Sequence, residues 1–373
     1  MPSIGIGLIG TGYMGKCHAL AWNAVGPVFG DCPIVRLVHL ADVDATLANQ
    51  KAAAFGFSRS TGNWRDLLSD PDVEVISITA PNAFHPEMAI EALNAGKHIW
   101  CEKPMAPKFA DALAMREAAR KSGRAAVLGY NYIQNPMVRQ IEKFLAEDAI
   151  GEVNHVRIEM DEDFMADPAE FFYWKSDASS GYGALDDFAV HPLSLIRMLF
   201  GRIASVTTDM ARPYSDRPVR GGGRRAVETH DIASVLFRLE QGASGVLMTN
   251  RAAWGRKGRL ALQVFGSKGS IVYDQERMNE VQIYRTGTAA GEAGYTSILA
   301  APSHPPYGMF VPAPGHGLGF NDLKVIECRH LLARIAGEPA HVIDFEKGVD
   351  IERAVHAMAA AHEKRGWVDI EYD

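Results

Sequence analysis

The first third of the chain alternates short apolar runs with helical segments, and no other feature limits the possible folds as strongly. The apolar runs cover residues 4–10, 35–41, 73–79, 97–101 and 125–129. They are apolar along their whole length, as parallel strands buried between two layers of helices are. The segments between them have helical patterns, with Gly96 placed as a C-terminal cap and Pro107 placed at a helix start. This pattern predicts a doubly wound parallel sheet, an α/β domain.

The pattern changes after about residue 151, which indicates a second domain of another class. The apolar segments become longer and are interrupted by polar residues, as in antiparallel strands with one wetter face. Gly266-Ser267-Lys268-Gly269 is typical of a hairpin turn. Since 373 residues exceed the ~150 of a typical domain, we expect one domain over 1–130 and another over 131–373. Helices within about 322–364 are expected to pack back towards the first domain.

Composition and charge exclude several classes of partner. The net charge of −7, from 38 basic and 45 acidic residues, gives no electrostatic reason to bind nucleic acid or an anionic membrane. No apolar run reaches the ~18–20 residues that span a bilayer. The four cysteines are scattered without metal-ligand spacing, and the histidines and carboxylates show none either, so no metal is expected. The default compartment is the cytoplasm.

A glycine-rich turn follows the first predicted strand and opens a helix. It reads Gly10-Thr11-Gly12-Tyr13-Met14-Gly15. In a dinucleotide site the first glycine permits the tight turn, the second lets the backbone approach a diphosphate, and the third allows close helix–strand packing. The free N–H groups at the start of the helix then face the diphosphate. The turn therefore predicts a dinucleotide-binding site.

Asp42 follows the second predicted strand, where a carboxylate accepts hydrogen bonds from ribose hydroxyls and repels a 2′-phosphate. We therefore expect NAD rather than NADP. Asp42 lies 27 residues after Gly15, beyond the usual ~20, and the extra length predicts an inserted loop over 25–33. Asp44 is the competing acid, but its position is better suited to capping the next helix.

Glu102-Lys103-Pro104 follows the fourth predicted strand directly. In an open parallel sheet the carboxyl ends of the strands face the ligand crevice. A lysine at this place can put its ammonium group beside the nicotinamide ribose and a substrate hydroxyl. Taken alone, Lys103 is more often an ordinary surface lysine.

Together with two further segments these motifs resemble the Gfo/Idh/MocA oxidoreductases over essentially the whole chain. The further segments are Ala80-Pro81-Asn82 with His85, and 183–191, which reads GALDDFAVH. The resemblance implies an N-terminal Rossmann domain that carries NAD(P) and a C-terminal domain built on a large, mostly antiparallel sheet. Members mostly oxidise a secondary alcohol of a sugar, inositol or similar polyol. Residues 302–327 are most similar to the branch that includes levoglucosan and inositol dehydrogenases.

The resemblance also assigns roles to individual residues. It implies Lys103 and His191 as catalytic residues and Asp187 as the residue that binds substrate beside them. A histidine can take the hydroxyl proton, an ammonium group can stabilise the developing alkoxide, and a carboxylate can anchor hydroxyls. Because Pro192 belongs in a first helical turn, we expect the helix to start near His191, with Asp187 in the approach loop.

Cofactor and substrate contacts complete the expected site. The cofactor candidates are Gly10, Gly12, Tyr13, Met14, Gly15, Asp42, Pro81, Asn82, His85, Glu102 and Lys103. The substrate candidates are Lys103, Asn131, Tyr132, Trp174, Asp187, His191 and His316. Trp174 with Lys175 can stack on and hydrogen-bond a pyranose, although a tryptophan is more often simply buried.

The sequence leaves three functions open. The first is NAD-dependent oxidation of a secondary hydroxyl of a cyclic sugar or polyol. The second keeps the site but uses transient oxidation, as NAD-dependent glycosidases or lyases do. The third is a non-catalytic dinucleotide-binding regulatory protein, which the joint presence of Lys103, Asp187 and His191 argues against.

The uncovered sheet of the second domain and the segment 211–226 are the two surface features that the sequence indicates. A large sheet with few helices to cover it predicts a homodimer or homotetramer. The segment 211–226, rich in arginine and glycine, is either a solvated loop or a mobile lid over an anionic or polyhydroxylated substrate.

Overall fold

The computed structural model describes residues 2–287 and 289–373. The helices are α1 Tyr13–Phe29, α2 Ala45–Phe55, α3 Asp66–Ser69, α4 His85–Asn94, α5 Phe109–Ser122, α6 Pro136–Ala146, α7 Val190–Leu199, α8 Tyr307–Phe310, α9 Phe320–Ile335 and α10 Phe345–Lys364. The strands are β1 Ser3–Ile9, β2 Ile34–Ala41, β3 Arg59–Thr61, β4 Val75–Ile78, β5 His98–Glu102, β6 Ala126–Gly129, β7 Val153–Glu162, β8 Ile203–Ala211, β9 Asp216–Pro218, β10 Arg224–Ala226, β11 Ile232–Leu239, β12 Ser244–Asn250, β13 Lys257–Gly266, β14 Gly269–Asp274, β15 Glu280–Arg285, β16 Thr296–Leu299, β17 Ile343–Asp344 and β18 Val368–Asp369.

The chain divides into two compact units. The first unit comprises Met1–Gln134 and Leu318–Val349, and the second comprises Asn135–Gly317 and Asp350–Asp373. Helix α9 therefore belongs to the first unit, although it lies far beyond residue 130 in the sequence.

The first unit is built on a sheet with the strand order β17-β6-β5-β4-β1-β2-β3. Strands β1 to β6 run parallel, and β17 joins β6 antiparallel. The central strands are buried on both faces, which confirms the predicted doubly wound sheet. The edge strands β3 and β17 were not predicted, because three and two residues are too few to show a period.

Helix α1 corrects the predicted loop over 25–33. It continues to Phe29 and ends at Gly30, whose φ of 73° and N–H bond to the Gly26 carbonyl are typical of a left-handed cap. Pro27 disturbs only the last turn, because the helix ends two residues later. The added length between the glycine-rich turn and Asp42 is therefore mostly helix.

The second unit is built on a sheet with the order β16-β15-β14-β13-β7-β12-β11-β8-β18. Strands β7 and β12 are parallel and the other neighbours are antiparallel, as predicted. The predicted hairpin is present, with Gly266 paired to Gly269. Strand β11 alternates, with Val235 and Phe237 buried and Leu236 half exposed on the other face. The sheet thus has one packed face and one face that carries exposed side chains.

The segment 211–226 is structured rather than a free loop. Strands β9 and β10 pair in a small antiparallel sheet. Arg217 is buried and donates to the carbonyl groups of Met165 and Asp167, and Arg225 is paired with Asp177. These arginines therefore hold the neighbouring segment 163–181.

No helix in the described part of the chain is long and apolar enough to cross a membrane. Across 2–287 and 289–373 no group of three or more His, Cys, Asp or Glu side chains is placed to hold a metal ion.

Candidate active site

The glycine-rich turn connects β1 to α1 in a tight geometry. The Gly10 N–H donates to the Ala41 carbonyl, which fixes the turn against the end of β2. A Cβ atom at Gly15 would lie 2.2 Å from the Gly10 carbonyl oxygen, so only glycine permits this approach of helix and strand. A Cβ at Gly12 would meet no heavy atom within 4 Å. The space at Gly12 and the first N–H groups of α1 suit a diphosphate.

Asp42 lies directly beside this turn. Its Oδ2 accepts hydrogen bonds from the Thr11 backbone N–H at 3.0 Å and the Thr11 hydroxyl at 2.6 Å. Asp44 instead caps α2, where Oδ1 accepts from the N–H groups of Thr46 and Leu47, as predicted. The half-buried carboxylate of Asp42 is thus the acid placed next to the turn, and it suits a ribose.

Lys103 follows the end of β5 and precedes a cis peptide bond to Pro104. The Lys103 side chain is half-buried. His85 holds this turn: its Nδ1 lies 2.9 Å from the Pro104 carbonyl oxygen and its Nε2 lies 2.9 Å from the Ala80 carbonyl oxygen. Burial lowers the pKa of His85. These two contacts let His85 position the Lys103 turn. The expected contact between His85 and the cofactor stays a prediction.

Glu102 lies in a buried cluster of charged side chains, and its expected contact with the cofactor stays a prediction. Its Oε1 accepts from Lys324 Nζ at 2.6 Å and is 2.9 Å from His18 Nε2. Lys324 also donates to Glu327 Oε2 at 2.8 Å. A Cβ at Gly129, on the neighbouring strand β6, would lie 2.5 Å from Glu102 Oε1. Only glycine at position 129 therefore leaves room for the Glu102 carboxylate.

The pKa values in this cluster follow from one ammonium group serving two carboxylates. Burial raises the pKa of Glu102, but Lys324 and the bond from His18 outweigh it and hold that pKa well below its usual range. Burial raises the pKa of Glu327 to about 7 and lowers that of His18 to about 4. His18 is therefore neutral at pH 7. No local sequence pattern predicts this cluster, because 222 residues separate Lys324 from Glu102.

In the second unit, Asp187 and His191 lie on successive turns of one helical segment. A π-helical turn over Leu185–Ala189 leads without a break into α7, which contains Pro192. Asp187 is therefore not in an approach loop, contrary to the expectation from Pro192. A π-helical turn before a proline relieves the clash that a regular helix would have there. Both side chains are buried, and Asp187 is 8 % exposed.

The Asp187 carboxylate lies between two cationic side chains, Lys175 and Arg251. Lys175 Nζ donates to Asp187 Oδ1 at 2.7 Å, and Arg251 Nη1 is 3.7 Å from Oδ2. Arg251 is itself fully buried and donates to Asp231 at 2.7 Å. Lys175 also lies over the rings of Phe164 and Trp174. No sequence pattern predicts Arg251 or Asp231 as part of this site, because both lie far from Asp187 in the chain.

Asp186, the neighbour of Asp187, is also buried, but its carboxyl is bound by a backbone N–H group. Its Oδ2 accepts from the Tyr182 backbone N–H, and a Cβ at Gly181 would collide with it. Burial raises the pKa of Asp186 to about 7, and the charge of Asp187 adds to the effect. At pH 7 the two adjacent carboxyls therefore carry fewer than two negative charges.

The remaining candidates lie in both units. In the first unit, exposed Pro81 leads into a short helical turn with buried Asn82, and buried Asn131 with half-buried Tyr132 follow β6. In the second unit, Trp174 is 42 % exposed beside Lys175, and His316 is exposed in the loop before Leu318.

Comparisons with known proteins agree with this architecture. A family model described as "Oxidoreductase family, NAD-binding Rossmann fold" matches residues 4–130, and one described as "GFO/IDH/MocA C-terminal domain" matches 138–272. The levoglucosan dehydrogenase of Pseudarthrobacter phenanthrenivorans is 33% identical over 387 residues, which cover 99% of each chain. The inositol 2-dehydrogenase of Rhizobium meliloti is 27% identical over 79% of this chain and 81% of that protein. A levoglucosan dehydrogenase solved in complex with NADH and levoglucosan superposes with a TM-score of 0.95 at 32% identity, over 99% of this chain and 100% of that one.

The fold and the glycine-rich site define an NAD-dependent dehydrogenase whose first unit contains an NAD-binding Rossmann domain. The chain belongs to the Gfo/Idh/MocA family of oxidoreductases.

Proposed function

We propose that this enzyme oxidises a secondary hydroxyl of a cyclic sugar or polyol: a pyranose, an anhydrosugar or an inositol. The observation that carries the proposal is the likeness to levoglucosan dehydrogenase, which extends over 99% of both chains. The paired carboxylate of Asp187 supports it, since a buried carboxylate held by cations suits the binding of adjacent hydroxyls.

The proposed cofactor contacts follow from the geometry of the first unit. Gly12 leaves space for the diphosphate, while Gly10 and Gly15 permit the tight turn and the close approach of α1 to β1. Tyr13 and Met14 lie at the start of α1, beside this space. Asp42 accepts hydrogen bonds from the adenosine ribose, and its charge disfavours a 2′-phosphate. Pro81 and Asn82 face the nicotinamide end. NAD, when bound, accepts the hydride that leaves the substrate carbon.

We assign three side chains to the substrate hydroxyl. His191 takes its proton as general base, because an imidazole titrates near neutral pH. The Lys103 ammonium group stabilises the oxygen as negative charge develops on it. Asp187 holds a neighbouring hydroxyl and so orients the reacting carbon. Asn131, Tyr132, Trp174 and His316 are proposed as further substrate contacts.

The test is a screen of the purified protein for NADH formation, followed by absorbance. The substrates are hexoses, pentoses, anhydrosugars, inositols and glycosides, each with NAD and with NADP. We expect net NADH formation with at least one cyclic sugar or polyol. Substrate consumption without net NADH would indicate transient oxidation, as in a glycosidase or lyase. No turnover with any substrate, together with tight NAD binding, would indicate a regulatory protein.

We also propose that the enzyme is a cytoplasmic homodimer or homotetramer. The outer face of the second sheet supports this assembly, because it carries Leu236 and Met248, which are 50% and 45% exposed. Half-buried Val246 and Phe265 lie on the same sheet. Light scattering measures the mass in solution, and Met248→Lys is expected to lower it. A monomeric mass for the unmodified protein refutes the assembly.

A further inference from the structure

Three aromatic side chains stand in a row beside the glycine-rich turn. Tyr13 is the first residue of α1 and directly follows Gly12. Its ring stacks on Phe320 with a centroid distance of 5.9 Å and an interplanar angle of 27°. The Phe320 ring meets Tyr132 edge-on at 6.2 Å. We call these three residues the aromatic row.

The aromatic row runs along the carboxyl edge of the first sheet. Tyr13 follows β1 and Tyr132 follows β6, and the sheet places β4 and β5 between those two strands. The two ring separations together approach the ~14 Å that three strand spacings cover. The two ends of the row thus follow the strands that flank β4 and β5, which lead to Asn82 and Lys103. Asp42 lies on the other side of β1, after β2.

Phe320 is held firmly in this position by helix α9. Phe320 is its first residue, and Lys324, one turn later, is fully buried in the ion cluster with Glu102. Further along the helices, Arg329 of α9 pairs with Asp31, just after α1, at 3.0 Å. Contacts at both ends show that α1 and α9 run side by side in the same direction. The start of α9 is thus placed next to the start of α1.

We propose that Phe320 is a cofactor-binding residue and that the aromatic row forms an apolar wall along the nicotinamide half of bound NAD. In a doubly wound sheet the two halves of a dinucleotide lie on opposite sides of the first strand. Asp42 marks the adenosine side, so the aromatic row lies on the nicotinamide side. An aromatic face suits the planar nicotinamide ring, and the row excludes water from the reacting carbon. The inference rests on NAD binding and the proposed cofactor contacts, and does not depend on the substrate.

The test compares two ligands that differ in the nicotinamide half. Dissociation constants for NADH and for ADP-ribose are measured by titration calorimetry for the unmodified protein and for Phe320→Ala. Loss of one aromatic contact is expected to weaken NADH about tenfold. ADP-ribose, which lacks nicotinamide, is expected to keep its affinity within about twofold. Unchanged NADH affinity, or an equal loss for both ligands, overturns the proposal.

Two further variants separate the ring from the stability of the helix. Phe320→Leu keeps an apolar side chain at the start of α9, and it is expected to weaken NADH selectively by at least about threefold. Phe55→Ala removes a half-buried phenylalanine at the end of α2 in the same unit and is expected to leave both affinities unchanged. Selective loss of NADH affinity in Phe55→Ala as well would overturn the assignment to Phe320. A failure of the substrate screen leaves these binding results standing, so the two proposals fail separately.

Discussion

Lys175 Nζ lies 2.7 Å from Asp187 Oδ1, so the carboxylate proposed to bind substrate is already paired with an ammonium group of its own unit. Arg251, on the other side of Asp187, is fully buried and bonded to Asp231. The Lys175 side chain is 26% exposed and lies over two aromatic rings. A hydroxyl that binds Asp187 therefore comes close to the Lys175 ammonium group as well.

Replacing Lys175 by methionine is expected to weaken substrate binding while NADH binding is unchanged. The change keeps the length of the side chain but removes a charge-assisted bond of about 1.5–3 kcal/mol. We expect KM for the substrate found in the screen to rise at least about tenfold. Lys268→Met, which removes an exposed lysine paired with Asp148, is the control and should leave KM unchanged. A normal KM in Lys175→Met would contradict the role.

Lys103→Ala is expected to abolish turnover and to leave NAD binding within a few-fold. The ammonium group acts on charge that develops during the reaction, so its loss lowers kcat rather than ground-state affinity. Steady-state kinetics and NADH titration give the two values. Normal turnover of substrate by Lys103→Ala would show that the catalytic assignment is wrong.

Asp42→Ala is expected to reduce the preference for NAD over NADP by at least about tenfold. The change removes the acceptor for the ribose hydroxyls and the charge that repels a 2′-phosphate. The ratio of the two dissociation constants is the measured quantity. Asp44→Ala is the matched control, because Asp44 caps α2 and should affect stability by about 1 kcal/mol without changing this ratio. An equal ratio in the unmodified protein and Asp42→Ala would exclude the role.

The sequence predicts contacts that local patterns encode and misses those that long-range packing creates. The glycine-rich turn and the cap at Asp44 depend on neighbouring residues, and both are found where expected. The length of α1 was missed because the extra residues before Asp42 were interpreted as an inserted loop over 25–33, although the helix continues to Phe29 with Pro27 in its last turn. Periodicity could not place Lys324 beside Glu102 or Arg251 beside Asp231, since these pairs form only when distant segments fold together.

Glu327 is expected to make stability depend on pH. Burial raises the pKa of its carboxyl to about 7, although Lys324 lies 2.8 Å away, because the same ammonium group also serves Glu102. Between the unfolded value of 4.5 and about 7 the folded protein retains a proton that the unfolded chain loses. The free energy of unfolding therefore falls as pH rises through this window, by on the order of 3 kcal/mol.

Glu327→Gln removes this titration while it keeps the size and the hydrogen-bonding capacity of the side chain. At pH 5 the carboxyl is protonated and neutral, so the variant and the unmodified protein should unfold at similar temperatures. By pH 8 the ionised carboxylate destabilises the unmodified protein, and the variant should have the higher Tm. Thermal unfolding of both proteins at intervals from pH 5 to 8 measures the difference, in which other titrating groups cancel. A difference in Tm that stays constant across this range would show that the buried proton does not reside on Glu327.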